Sequence, residues 1–142
     1  MTETPSSILS FMDAFRDLPH RAKDDAECQS LKQDILHGFH DHEQMAISLV
    51  KSSLLAALAR HGSDDVHKAM DSRWRKTRVT PLRVKPDDPP IGVSVKIVFV
   101  TEHTEHGDAT DEVLDILHDD IVEHNYDCFI LQLVVNDKHI RF

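Results

Sequence analysis

The chain has 142 residues, of which 40% are hydrophobic and 29% are charged, a composition that suits one globular domain and excludes wholesale disorder. The net charge is −9, and it is segregated along the chain. Residues 60–85 hold eight Lys and Arg against three Asp, whereas residues 97–137 hold eleven Asp and Glu and no Lys or Arg. No apolar stretch is long enough to span a bilayer, so no membrane partner is expected.

The two cysteines, Cys28 and Cys128, lie far apart in the sequence and form no CxxC pair. Paired cysteines are typical of oxidising compartments and free ones of reducing compartments. We therefore expect two free thiols in an acidic, intracellular, cytoplasmic protein.

The first half of the chain, residues 1–77, predicts about four helices, because apolar residues recur there at intervals of three and four. Capping and stop residues mark the ends of each helix. The expected boundaries are Ser7 and Pro19 for the first helix, Asp24 or Asp25 and Gly38 for the second, Asp41 (in a capping box with Gln44) and Gly62 for the third, and Ser63 and Lys76 for the fourth.

The second half, residues 78–142, changes to the two-residue period of strands. Residues 78–85 contain Pro81 and predict an edge strand or an extended linker. Residues 93–100 and 128–135 predict two strands that are parallel, because a helix from Asp108 to about His124 joins them. Residues 138–142 predict a short hairpin strand.

The predicted fold is α+β: a helical half packed on a small C-terminal β-α-β-β sheet, as one domain over residues 1–142. A small sheet needs cover on both faces if both are apolar. A second subunit could supply that cover, so we expect a homo-oligomer.

A basic segment is the sharpest local signal for function. Guanidinium groups match phosphates, and a tryptophan can stack on a base, so the segment predicts nucleic-acid binding. The alternative is structural: cations complement a helix C-terminus, the segment pairs with the acidic helix, and the tryptophan belongs to the core. The candidate nucleic-acid-binding residues are Arg73, Trp74, Arg75, Lys76, Arg78, Arg83 and Lys85.

Eleven histidines are many for this length, and three of them, His37, His40 and His42, cluster where two predicted helices meet. Imidazole is a common ligand of divalent metals, so this cluster predicts a metal site. The structural alternative for this cluster is that histidines suit the dipole at a helix C-terminus.

A second group, His103, Glu105, His106 and Asp108, follows a predicted strand, and ligands often bind at that end of a strand in α/β units. Its structural alternative is a helix cap and a solvated helix face.

The acidic helix offers a possible interaction surface through Asp111, Asp115, Asp119 and Glu123, although such rows are commonly solvated surface. The chain contains no GxxxxGK[ST], GxGxxG or GxSxG motif. The leading hypothesis is therefore a small non-enzymatic regulatory protein that binds a protein partner. The alternatives are a nucleic-acid-binding protein and a metal-dependent hydrolase; apart from that divalent metal, no cofactor is expected.

Overall fold

The computed structural model describes residues 6–21, 25–101 and 108–142. Five helices and a four-stranded sheet form these ranges, with most of the helices N-terminal to the sheet, so the α+β prediction is confirmed. The elements are α1 (Ser6–Arg21), α2 (Asp25–Asp41), α3 (Glu43–His61), α4 (Asp64–Lys68), a π-helical segment (Ala69–Arg73), β1 (Trp74–Leu82), β2 (Gly92–Phe99), α5 (Thr110–Glu123), a 3₁₀ turn (Tyr126–Cys128), β3 (Ile130–Val135) and β4 (Lys138–Arg141).

The strands lie in the order β1-β2-β3-β4. β2 and β3 are parallel and α5 joins them, as predicted, while β1 and β4 pair antiparallel on the two outer sides. β1 is an edge strand, which suits Pro81, because proline cannot donate a hydrogen bond to a ladder.

One face of the sheet is far more apolar than the other. Along β2, the side chains of Val93, Val95, Ile97 and Phe99 are buried, whereas the exposed Lys96 points to the opposite face. α3 contacts β1 and α5 contacts β3, so the helices cover the apolar face. The sheet therefore does not itself require a second subunit as cover, and homo-oligomerisation stays a prediction.

The fourth helix ends earlier than expected. α4 spans five residues, the π-helical segment follows it, and β1 begins at Trp74, so the prediction of a helix to Lys76 was wrong. The Trp74 ring stacks on Phe99, with centroids 5.4 Å apart and planes 6° apart, and its Nε1 donates to Thr77 Oγ1. Aromatic cross-strand pairs stabilise sheets, so this contact favours a strand over a helix for Trp74 and the residues that follow it.

Three other helix-boundary predictions were also wrong. α1 continues through Pro19 to Arg21. Gly38 is buried inside α2, where an added Cβ would lie 2.4 Å from Phe11 Cγ; this glycine allows α1 to approach α2. The expected capping box at Asp41 and Gln44 does not form. Instead, His42 N–H donates to the Gly38 carbonyl and Ala46 N–H donates to the His42 carbonyl, so backbone bonds run through the junction.

The N-terminal helices are joined to the sheet half by aromatic stacking and by a disulfide. The Phe15 ring stacks on Tyr126 at 5.1 Å, and Cys28 is bonded to Cys128 across a sequence separation of 100 residues. The prediction of two free thiols was wrong, because the fold brings two distant cysteines to a Cα–Cα distance of 6.2 Å. Because the two cysteines are bonded to each other, they no longer indicate a reducing compartment. The cytoplasmic location stays a prediction.

We expect the disulfide to contribute strongly to stability. Closing a loop of 100 residues restricts the unfolded chain by about 4.7 kcal/mol in the chain-entropy description. Cys28→Ser with Cys128→Ser should lower the free energy of unfolding in urea by an amount of this order. Cys28→Ser alone is the control and should match the double variant. Equal urea midpoints for oxidised and reduced wild-type protein would contradict the expectation.

Candidate cationic sheet face

The face of the sheet turned away from the helices, called here the open face, carries polar and cationic side chains in register. One row across the four strands consists of Arg78, Lys96, Val134 and His139. The neighbouring row consists of Thr80, Ser94, Gln132 and Arg141, and Lys76 lies opposite Val98 at one end. At about 4.8 Å between strands, each row is about 14 Å long.

None of the described strand residues on the open face is acidic. At one end of the face, a cavity is lined by Lys96 together with Asp108 and Asp137 of the neighbouring loops. Arg78 and Lys96 are directly opposite one another on β1 and β2, and both are exposed. Like charges in directly opposed positions destabilise a sheet. The arrangement therefore has an energetic cost in the free protein that an anionic ligand would relieve.

The polar groups between the cations are joined by hydrogen bonds. Ser94 Oγ donates to Gln132 Oε1 at 3.3 Å, and Gln132 Nε2 lies 3.4 Å from His139 Nδ1. These contacts link β2, β3 and β4 across the open face. They leave the Lys96 and Arg141 side chains exposed.

The structure divides the seven residues of the predicted nucleic-acid segment. Lys76 and Arg78 lie on the open face, and Arg75 is exposed at the bulge between Trp74 and Lys76. Trp74 stacks on Phe99 on the helix-covered side, away from the open face.

The remaining three cations of the segment lie off the open face. Arg83 is bound internally: its Nη1 lies 3.3 Å from Glu43 Oε1, and its Nε donates to the Asp88 carbonyl. Lys85 is exposed in the loop after β1, and Arg73 ends the π-helical segment.

Sequence reasoning missed Lys96, His139 and Arg141. Each is separated in sequence from the basic segment, and only strand register brings them beside Lys76 and Arg78. The signal available in the sequence was the polar alternation: Lys96 interrupts an apolar strand, and His139 and Arg141 alternate in the last one.

The predicted metal ligands do not assemble into a site. His37 and His40 are exposed on α2, and His42 lies at the junction with α3. Within the described ranges, no group of three or more His, Cys, Asp or Glu side chains is placed to hold a metal ion. His103, Glu105 and His106 lie outside the described residues, and Asp108 accepts a hydrogen bond from Thr110 N–H at the start of α5.

The four predicted interaction residues, Asp111, Asp115, Asp119 and Glu123, form an exposed row on α5 at intervals of four residues. Lys138 Nζ donates to Asp111, and this hydrogen bond raises the pKa of the Lys138 ammonium. The row therefore lies on the helix-covered side of the sheet, apart from the open face.

A polar cluster lies partly buried between α3 and α5. His124 Nδ1 lies 3.1 Å from Asp120 Oδ1, the His124 ring stacks on Tyr126, and Tyr126 OH is hydrogen-bonded to Ser53 Oγ at 3.0 Å. Burial raises the pKa of the Asp120 carboxyl, and His124 and Arg60 oppose this rise. With Asp120 only 6% exposed, the cluster is placed to stabilise the helix contact.

The raised pKa of Asp120 makes a pH-dependent contribution to stability. The unfolded carboxyl ionises near 3.8, so the contribution is complete below that pH and is lost as pH rises through the higher folded pKa. Asp120→Asn removes the titration. Its free energy of unfolding relative to wild type should therefore be more favourable at about pH 7 than at about pH 3.5.

The matched control for this prediction is Asp119→Asn, whose side chain is 83% exposed in wild type. The difference between the two pH values should be larger for Asp120→Asn than for this control. A larger loss for Asp120→Asn at neutral than at acidic pH would show instead that the His124 ion pair dominates.

Comparison with protein families, curated proteins and solved structures finds no match to this chain. Within the described residues, each helix is too short or too polar to cross a lipid bilayer.

Proposed function

We propose that this chain is a binding protein whose open face binds the phosphate backbone of a nucleic acid. The observation that carries the proposal is the directly opposed Arg78 and Lys96 pair, with Lys76 and Arg141 on the same face and no acidic residue among the described strand residues there. A phosphate between the two cations would replace repulsion with attraction, and arginine can bind phosphate through two parallel hydrogen bonds.

The open face favours recognition of phosphates over recognition of bases. Among the described residues, no Phe, Tyr or Trp side chain lies on it, because Trp74 and Phe99 stack on the other side. Stacking on aromatic rings is the usual way in which proteins hold single-stranded bases. Binding should therefore depend weakly on sequence and steeply on salt.

The net charge of −9 does not repel a nucleic acid equally over the whole protein surface. The acidic row of α5 lies on the helix-covered side, and Glu43 is neutralised by Arg83. At physiological ionic strength, interactions beyond about 8 Å are largely screened. A phosphate on the open face therefore interacts mainly with the cations there. The protein partner expected from the sequence stays a separate prediction.

The proposal predicts salt-sensitive binding of a labelled, single-stranded oligonucleotide of mixed sequence. Four cations predict a slope of log affinity against log salt of about −2.8, or about a 50-fold loss between about 50 and 200 mM. Lys96→Glu with Arg141→Glu should abolish binding in fluorescence anisotropy. Arg16→Glu with Lys68→Glu, the same total change of charge at exposed positions of α1 and α4, should leave the affinity within about twofold. Equal affinity of wild type and the double variant would rule the open face out.

The same pair predicts an effect on stability without ligand. Lys96→Gln removes one of the two opposed charges and should raise the free energy of unfolding at low salt by about 0.2–1 kcal/mol. The gain should shrink as salt is added, because salt already screens the repulsion. Arg16→Gln is the control and should show no such gain. A loss of stability in Lys96→Gln would mean that Lys96 makes a favourable contact in the free protein.

A further inference from the structure

A groove runs along the outer edge of β1 and borders the open face. It has a volume of about 550 Å³ and is called here the edge groove. β1 pairs only with β2, so its other edge carries backbone groups that no strand of the sheet satisfies. α3 forms the opposite wall of the groove through Glu43, Gln44, Ile47 and Lys51.

The groove follows the strand edge. The β1 side of its lining includes residues of both sheet faces, Lys76, Arg78 and Thr80 from one and Thr77, Val79 and Pro81 from the other. Consecutive residues of a strand point to opposite faces, so only a groove at the edge can touch all six. Six residues of strand are about 20 Å long, which matches one short added strand.

The chemistry of the lining alternates between apolar and cationic. Ile47 is half-buried and offers apolar surface to a ligand, while Val79 lies beneath the groove with 3% of its surface exposed. Lys51, Lys76 and Arg78 form the rim, and no hydrogen bond or ion pair holds them within the described chain. The one rim carboxylate, Glu43, is engaged by Arg83 at 3.3 Å.

We propose that the edge groove binds an extended peptide of alternating apolar and acidic residues as a fifth strand beside β1. Backbone hydrogen bonds to the free edge would supply affinity, as in other cases of strand addition. The apolar side chains of the peptide would face Val79 and Ile47, and the acidic ones would face Lys76 and Arg78. The proposal is independent of the nucleic-acid function, although the two surfaces share those two cations.

A second copy of this chain is a poorer occupant of the groove. Pairing β1 with β1 of another copy would bring the Lys76 and Arg78 cations of both copies onto the same faces and close together. Like charges on neighbouring strands are destabilising, whereas an acidic strand relieves the repulsion. Charge complementarity therefore favours an acidic peptide of another protein over a second copy of this chain.

The test uses a six-residue peptide of alternating Val and Glu, with blocked ends, titrated into isotopically labelled full-length protein. Amides along β1 should shift and exchange more slowly with solvent. Ile47→Ser lies on the α3 wall and changes no charge, so it should weaken the peptide at least tenfold while leaving oligonucleotide affinity unchanged. Arg141→Glu, off the groove, should do the reverse.

Two control peptides separate strand addition from charge attraction. A peptide of alternating Val and Lys should not bind, since it repeats the charge of the rim. A Val-Glu peptide with N-methyl groups on alternate residues keeps its side chains but loses one row of N–H donors, and should bind at least tenfold more weakly. Equal binding of the N-methylated peptide, equal binding of the Lys peptide, or no binding of the Val-Glu peptide would each overturn the proposal. Dimerisation of the free protein through β1 would overturn the choice of occupant.

Discussion

The burial of one face of the sheet under α3 and α5 is the constraint on which the rest of the structure depends. In β2, every second side chain from Val93 to Phe99 is buried, and these residues pack with the apolar residues Val113, Leu117 and Ile121 of α5. A strand buried on one face must present its alternate residues on the other. Lys96 is therefore held outward by the same alternation that builds the core, and register with β1 and β4 places the other cations beside it.

This arrangement separates the cationic side chains of the sheet from the acidic side chains of α5. Lys76 and Arg78 of the basic segment and Arg141 of β4 lie on the open face, while the acidic row follows α5 on the opposite side. Two described ion pairs connect the sheet half to the helices: Arg83 contacts Glu43 of α3, and Lys138 contacts Asp111 of α5. The cations of the open face and the acidic row of α5 thus lie on different sides of the sheet.

Local patterns predicted the elements well, and long-range contacts explain where they failed. The apolar alternation of β2 and the helical spacing of α5 depend on neighbours in sequence, so the strand-helix-strand unit and its parallel pairing could be predicted. Trp74 fitted a helical stripe equally well, and its stacking on Phe99 decided for the strand. Spacing alone could not reveal that Cys28 meets Cys128, because their pairing depends on how α1 and α2 dock.

The candidate site was predictable only in part for the same reason. A dense run of cations is visible in the sequence, but its division is not: Arg83 is bound to Glu43, which is 40 positions away, and Trp74 enters the core. Lys96 and Arg141 belong to the site through register alone. The cluster of His37, His40 and His42 shows the converse, since proximity in sequence does not bring these side chains together as ligands.

The most direct test of the account is a map of backbone amide shifts in labelled protein as a single-stranded oligonucleotide is added at low salt. The account predicts that the largest changes fall on Arg78, Lys96, His139 and Arg141, which one surface connects across all four strands, and that α5 is unaffected. Changes confined to the helices, or the absence of any change at low salt, would contradict the claim that the open face binds nucleic acid.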